Sequence, residues 1–276
     1  MLLDTLPLAL RVKEVFPALL LAFWFIGGFA IYIALVRQTK ARPPVGPGEE
    51  PSRFGLPEAV VAAMLTFLLL YGLFITIRRP AAKLHDDALV QTLFFVLVIV
   101  LVIAAFLRVR GFNLSAAAGF SKISFLRALS IGIVLLIAAY PLIAMADAIT
   151  QRFLGAGSSR QSIVEFFSGS STIGQRVMII FFAVAVAPPA EEFLFRFFLY
   201  GVLRRYVGRF MGLVSNALLF AAVHTHLPSF APLFVLGSCF TLAYEWSGSI
   251  LVSMTMHALF NSVSLIALAF PDLFSQ

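Results

Sequence analysis

Residues 88–107 read ALVQTLFFVLVIVLVIAAFL, twenty consecutive positions without a charged side chain. A helix rises about 1.5 Å per residue, so a segment of this length spans the roughly 30 Å of hydrocarbon in a bilayer. A helix also satisfies its own backbone hydrogen bonds in lipid, which an irregular chain does not. This stretch therefore predicts a membrane-spanning helix.

Seven further segments have the length and apolar character of a span. Four are nearly free of charge: residues 16–36, 59–77, 128–149 and 249–270. Three contain ionisable or other polar side chains: residues 176–203, 210–226 and 230–247. The predicted fold class is therefore all-α, a polytopic membrane protein with about eight transmembrane helices.

The composition of the whole chain agrees with a membrane protein. Of its 276 residues, 61% are hydrophobic and 12% are charged, and the mean hydropathy is +1.00, outside the range of soluble domains. The net charge of +7 raises the question of nucleic acid, but Lys and Arg lie mainly between the apolar segments. The expected partner is thus the lipid bilayer and not nucleic acid, and the expected location is the cell (plasma) membrane.

The two parts of the chain differ in character. Residues 1–175 hold about four apolar segments and are predicted to form an N-terminal transmembrane scaffold, with a solvated linker at 38–57 that is rich in Pro, Gly and charge. Residues 176–276 hold about four more segments and carry polar groups within them, as expected of a catalytic core. Residues 151–175 include a short apolar piece that is either an interfacial helix or a lid.

Residues 188–196 read PPAEEFLFR and place two carboxylates and a guanidinium inside an apolar span. The prolines predict a break in the helix. Glu192 and Arg196 are four residues apart and can neutralise each other, whereas Glu191 is rotated by about 100° and lacks that partner. Glu191 is therefore a candidate general base. The alternative is a buried ion-pair network that holds two helices together.

Two other helices contribute polar side chains at membrane depth. His224 ends an apolar stretch and is a candidate acid or base, or else a packed, hydrogen-bonded histidine. His257 and Asn261 are four apart on the last span and project from one face, as donors or as partners in interhelical hydrogen bonds. Combined with Glu191, they supply the base and the oxyanion donors that amide hydrolysis needs.

Other proteolytic chemistries lack their residues in this sequence. It has neither a His-Glu-x-x-His motif nor a Gly-x-Ser-x-Gly elbow. Asp147 is the only Asp within any predicted span, so a pair of intramembrane aspartates is absent. The candidate mechanism therefore depends on Glu and His.

The three motifs resemble those of the CAAX protease and bacteriocin-processing family, also called CPBP or Abi, which includes the type II CAAX prenyl endopeptidases. The resemblance covers roughly residues 175–265. In chain order the motifs are Glu191-Glu192-x-x-x-Arg196, Phe220-x-x-x-His224 and His257-x-x-x-Asn261. The stretch from Gly237 to Ser249 is also similar to the family's pattern.

This resemblance implies an all-α fold of about eight transmembrane helices around a polar intramembrane cavity. It also implies an intramembrane endopeptidase that cleaves near the C-terminus of proteins, or cleaves short peptides, with or without a lipid on the substrate. It implies that Glu191 and His224 activate water and that His257 and Asn261 stabilise the oxyanion. The neighbouring Glu192 and Arg196 are implied to support the site.

The resemblance leaves the cofactor open. Family members are often described as metalloproteases, and Glu191, His224 and His257 would be the zinc ligands. A metal-free glutamate mechanism without a cofactor is the favoured hypothesis. Two other functions remain possible: a non-proteolytic immunity or scaffold protein of the same fold, and a transporter, whose broken helices should occur in two matching halves.

Overall fold

The computed structural model describes residues 8–41, 53–78, 86–154 and 172–270, which are almost entirely helical. The helices in chain order are α1 (Leu8–Ala41), α2 (Leu56–Arg78), α3 (Asp86–Val109), α4 (Leu114–Ala117), α5 (Phe125–Leu154), α6 (Ile173–Phe181), α7 (Ala187–Glu192), α8 (Tyr200–Val223), α9 (Phe230–Ser247) and α10 (Ile250–Ala269). Two π-helical segments, Phe182–Val186 and Phe193–Leu199, join α6 to α7 and α7 to α8, and a 3-10 turn, Leu227–Ser229, precedes α9. No strand occurs in the described ranges, and the predicted all-α membrane fold is confirmed.

Seven helical segments of the described chain are long and apolar enough to cross a membrane, and one of them, Ile173–Val223, has 51 residues. About 20 residues suffice for one crossing. Gly208 interrupts this segment with φ 82° and ψ 171°. A Cβ built on Gly212 would lie 3.0 Å from the backbone nitrogen of Arg204, although eight residues of straight helix would separate them by about 12 Å. The chain therefore reverses direction at Gly208, and the long segment contains the two predicted spans 176–203 and 210–226.

The predicted solvated linker over 38–57 is shorter than expected at both ends. Residues 38–41 form the last turn of α1, and Phe54 is only 2% exposed. The Phe54 ring stacks on Phe112 with centroids 5.3 Å apart, and a Cβ on Gly201 would collide with it. Apolar burial therefore anchors the segment just before α2. Residues 42–52 lie outside the described residues, as do 155–171, which include most of the segment left open between an interfacial helix and a lid.

A proline in α5 leaves a carbonyl free to accept a hydrogen bond from α1. Pro141 lacks an N–H, so the carbonyl of Ile137, four residues earlier, loses its helical donor. The indole Nε1 of Trp24 donates to that carbonyl at 2.8 Å, and Tyr32 donates to the nearby Leu135 carbonyl at 2.9 Å. The first helix is thus fixed by hydrogen bonds as well as by apolar packing.

An ion-pair network ties the reversal at Gly208 to the ends of α1 and α9. The Glu245 side chain is 4% exposed and lies 3.1 Å from Arg209 Nε and 3.5 Å from Arg204 Nη1. Tyr200 donates to the same carboxylate at 2.5 Å, and Arg209 also donates to the Thr39 carbonyl at 2.6 Å. These bonds close one end of the bundle.

The turn between α9 and α10 sets the position of the last helix. Gly248 adopts the left-handed conformation with φ 67°, and the N–H of Ile250 donates to the carbonyl of Ala118 at 2.9 Å. A Cβ on Gly119, which itself has φ 73°, would collide with the Gly248 carbonyl oxygen. The two glycines therefore permit a backbone contact that fixes where α10 begins.

Candidate active site

The prolines at 188 and 189 shift the hydrogen-bond register of the helix without interrupting it. The N–H of Ala187 donates to the carbonyl of Phe182, five residues back, instead of the usual four. Neither proline has an N–H to restore the usual register. The predicted break is therefore a π-helical bulge, a feature often found at functional sites. It places the two adjacent carboxylates opposite α10.

Glu192 is fully buried and holds two partners. Its Oε1 lies 3.1 Å from Arg196 Nη1 and accepts a hydrogen bond from His257 Nδ1 at 2.9 Å. The pairing of Glu192 with Arg196 predicted from their spacing is confirmed. The bond to His257, 65 residues away, was not predicted. One carboxylate oxygen thus joins the first and third motifs.

Arg196 is also fully buried, in a cage of aromatic rings. Its guanidinium carbon lies 4.2 Å from the centroid of the Phe220 ring and 5.2 Å from that of Phe240. Nη2 donates to the Gly237 carbonyl at 3.4 Å. Aromatic faces attract a cation, and Glu192 offsets the desolvation of this one. Arg196 therefore connects its own helix to α8 and α9.

Glu191 lies one position earlier and has a different environment. Its side chain is 27% exposed, whereas that of Glu192 is 0% exposed. Its Oε2 lies 3.8 Å from His257 Nε2, too far for a hydrogen bond, and has no hydrogen-bond partner among the described residues. Of the two acids, Glu191 is thus the one left available for chemistry.

The two nitrogen atoms of His257 face the two acids. Nδ1 donates to the Glu192 carboxylate, so in the neutral ring the proton resides on Nδ1 and the lone pair on Nε2. The ring stacks on Phe240 with centroids 5.0 Å apart and meets Phe220 edge-on at 5.9 Å. This environment fixes the ring so that Nε2 is directed toward Glu191.

His224 immediately follows the last residue of α8, and its ring packs on Phe220, the aromatic residue of the second motif. Its Nδ1 lies 2.7 Å from the Phe220 carbonyl, which can only accept, so Nε2 is the atom that can exchange a proton. The Phe220 ring contacts both His224, at 4.7 Å, and His257. Within the described residues, the ion pairs of Glu191 and Glu192 involve His257 and Arg196 and not His224.

Asn261 bonds to the same helix that His257 contacts. Its Nδ2 donates to the carbonyl of Ala183 in the first π-helical segment at 2.7 Å. His257 and Asn261 therefore share a face, as their spacing predicted. One amide hydrogen makes an interhelical bond, the alternative that the sequence left open. The second hydrogen on Nδ2 is not used by this bond.

The described residues do not offer a ready zinc site. No group of three or more His, Cys, Asp or Glu side chains within them is arranged to hold a metal ion. Of the three candidate ligands, Glu191 and His257 face each other, while His224 packs on the Phe220 ring with its Nδ1 at the Phe220 carbonyl. Zinc in proteins takes three or four such donors around one point. The donors in this arrangement do not fit the metal, so no chemical step is assigned to one.

Three features of the site escaped the sequence analysis. The contacts of Glu192 with His257, of Phe240 with His257, and of Asn261 with Ala183 all join different helices. Glu192 and Phe240 lie near recognisable motifs, but their partners carry no signal in local spacing. Nothing in the sequence distinguishes Ala183 from other small residues in its span.

Comparison with known proteins agrees with the motif analysis. Residues 173–263, about a third of the chain, match the model of the family described as type II CAAX prenyl endopeptidase Rce1-like. The match includes all three motifs and confirms the resemblance to the CAAX protease and bacteriocin-processing family. With the seven long apolar segments, it identifies a multi-pass membrane protein. No curated protein and no solved structure matches the chain.

Proposed function

We propose, because residues 173–263 match the model of a family of CAAX-type endopeptidases, that the chain hydrolyses a peptide bond with a water molecule activated by Glu191. The observation that carries the proposal is the contrast between the two acids. Glu192 is fully buried and its Oε1 is held by Arg196 and His257, whereas the Glu191 side chain is 27% exposed and lies 3.8 Å from the nearest His257 nitrogen. Oε2 of each acid lacks a hydrogen bond within the described residues, but a general base also needs access to water, which the exposure of Glu191 provides.

In this mechanism Glu191 accepts the proton of the attacking water, and the water oxygen forms a bond to the carbonyl carbon of the substrate. His224 assists through Nε2, its only nitrogen not held by a backbone carbonyl. As the carbon–nitrogen bond breaks, the proton that Glu191 took from the water is delivered to the leaving amine. Glu191 and His224 thus act as the acid–base pair.

The negative charge on the substrate oxygen is stabilised by His257 and Asn261. When the His257 ring carries two protons, the Glu192 carboxylate stabilises its charge through Nδ1, and Nε2–H becomes a donor. The second amide hydrogen of Asn261 is the other donor. Glu192 and Arg196 support this arrangement without contacting the substrate.

The proposed substrates are peptide bonds near the C-terminus of a protein or peptide, and a prenylated CAAX sequence is the first to test. This follows from the description of the matching family model, which names a CAAX prenyl endopeptidase. The proposed location is the cell membrane, and the mechanism uses no cofactor.

The direct test follows cleavage of a farnesylated CAAX peptide by the purified protein in liposomes, with the same peptide lacking the lipid as a comparison. Glu191→Gln keeps the shape of the side chain and removes the base, so cleavage should fall about 10²- to 10⁴-fold. Asp147→Asn, which changes a carboxylate bonded to Gln151, is the matched control and should cleave normally. Full activity in Glu191→Gln would refute the mechanism.

Two further outcomes identify the alternatives. Inhibition by a chelator that added Zn²⁺ reverses would replace the glutamate mechanism with a metal-dependent one. Retention of partner binding or protection by Glu191→Gln, with no cleavage by the wild-type protein, would indicate the non-proteolytic immunity or scaffold function.

A further inference from the structure

The carbonyl of Ala183 has no donor within its own helix. In an α-helix its donor would be the N–H of Ala187, but that N–H donates to Phe182 instead. In the π register the donor would be residue 188, which is a proline and has no N–H. A carbonyl without a donor is costly in an apolar environment, so this one needs a partner from elsewhere.

Asn261 is that partner. Its Nδ2 donates to the Ala183 carbonyl at 2.7 Å across the interface between the two helices. The opposite orientation of the amide would place Oδ1 against the carbonyl oxygen, and two acceptors cannot bond to each other. The unpaired carbonyl therefore determines which way the Asn261 amide faces.

We propose that Pro188 is a positioning residue for Asn261, because the carbonyl that it leaves free holds the amide in one orientation. The inference deepens the proposed function, since it concerns the donor that stabilises the oxyanion. With one Nδ2 hydrogen held by Ala183, the other is presented at a fixed angle. A donor held in place before the reaction stabilises developing charge without reorganising.

Pro188→Ala distinguishes positioning of Asn261 from a purely structural role of the proline. Pro188→Ala restores an N–H that competes with Asn261 for the Ala183 carbonyl. Cleavage of the farnesylated peptide should fall roughly tenfold in kcat with little change in KM, a fraction of the loss caused by removing an oxyanion donor. The melting temperature should not fall, because the helix gains a hydrogen bond.

Pro189→Ala is the matched control. In the π register the acceptor for residue 189 would be the carbonyl of Val184, to which proline has no N–H to donate, and the Asn261 bond to Ala183 does not use that carbonyl. The change introduces the same methyl group and the same N–H one residue further along. Any effect of Pro189→Ala on kcat should be independent of Asn261, and coupling of Pro189→Ala to Asn261→Ala as strong as that of Pro188→Ala would overturn the assignment.

A double-mutant cycle provides the decisive measurement. If Pro188 acts through Asn261, Pro188→Ala should have no further effect on kcat in an Asn261→Ala background, and additive losses would overturn the proposal. The same double-mutant cycle can be measured by melting temperature, a readout that does not depend on catalytic activity. Asn261→Ala should lower the melting temperature by about 2 to 4 °C in the wild-type background and by much less beside Pro188→Ala.

The two readouts distinguish failure of this inference from failure of the proposed function. Additive changes in melting temperature refute the inference whatever the activity. Coupled melting temperatures with unchanged kcat in Asn261→Ala refute the catalytic consequence, while the Glu191 mechanism is judged by its own variant. Coupling in both measurements supports the positioning role.

Discussion

Substitution of the two adjacent glutamates by glutamine should affect different properties: Glu192→Gln should lower stability, and Glu191→Gln should lower activity. Glu192 is fully buried, and its Oε1 lies 3.1 Å from the equally buried Arg196 and 2.9 Å from His257. Glu192→Gln leaves the Arg196 cation without its counter-charge, and breaking a buried pair in this way costs about 3–5 kcal/mol. Glu191 is partly exposed and its Oε2 has no hydrogen bond, so Glu191→Gln should cost less than about 1 kcal/mol.

The assay compares thermal unfolding and peptide cleavage for both variants in the same detergent. We expect Glu192→Gln to lower the melting temperature by on the order of 10 °C, and Glu191→Gln to leave it nearly unchanged while cleavage falls about 10²- to 10⁴-fold. A double variant, Glu192→Leu with Arg196→Met, should be more stable than either single change because it removes both charges. The reasoning fails if Glu191→Gln destabilises the protein as much as Glu192→Gln does.

Two further predictions concern the fold and its orientation. Gly119→Ala should lower the free energy of unfolding by at least about 2 kcal/mol, because the new Cβ collides with the Gly248 carbonyl and φ at this position is 73°. Gly174→Ala, which adds a Cβ in open space, is the control in a thermal melt. Equal melting temperatures of the two variants would contradict the prediction. The Lys and Arg excess on the side of residues 37–57, 108–127 and 204–209 predicts that this side is cytoplasmic. Arg205→Cys should then react with an impermeant maleimide only after the membrane is opened. Labelling of the native Cys239 should be weak, because this residue is 3% exposed. Labelling of Arg205→Cys in intact cells would show the opposite orientation.

The helices and the first pairing within the site were predictable because they depend on short stretches of chain. Length and apolar composition define a span, and spacing of four residues brings Glu192 next to Arg196. The same periodicity separated Glu191 from that pair and placed His257 and Asn261 on one face. Each of these conclusions uses only the geometry of a single helix.

The linker shows where local composition misleads. Residues 38–57 are polar on average, but Phe54 inserts between Phe112 and Gly201 because those partners leave room for its ring. Average polarity describes the segment as a whole, whereas burial is decided by one side chain and a cavity formed by distant residues. The sequence contains both partners but no indication that they meet.

By itself the sequence determined that the chain is a bundle of membrane helices and which acid is paired within its own helix. Only the tertiary structure decided that Glu192 also holds His257, that Phe220 contacts both histidines, and that Asn261 caps the carbonyl left free by Pro188. The physical reason is the range of the interactions. Periodicity sets the direction of a side chain around its own helix axis, but the rotation and depth of one helix against another are set by contacts such as that of Gly119 with Gly248.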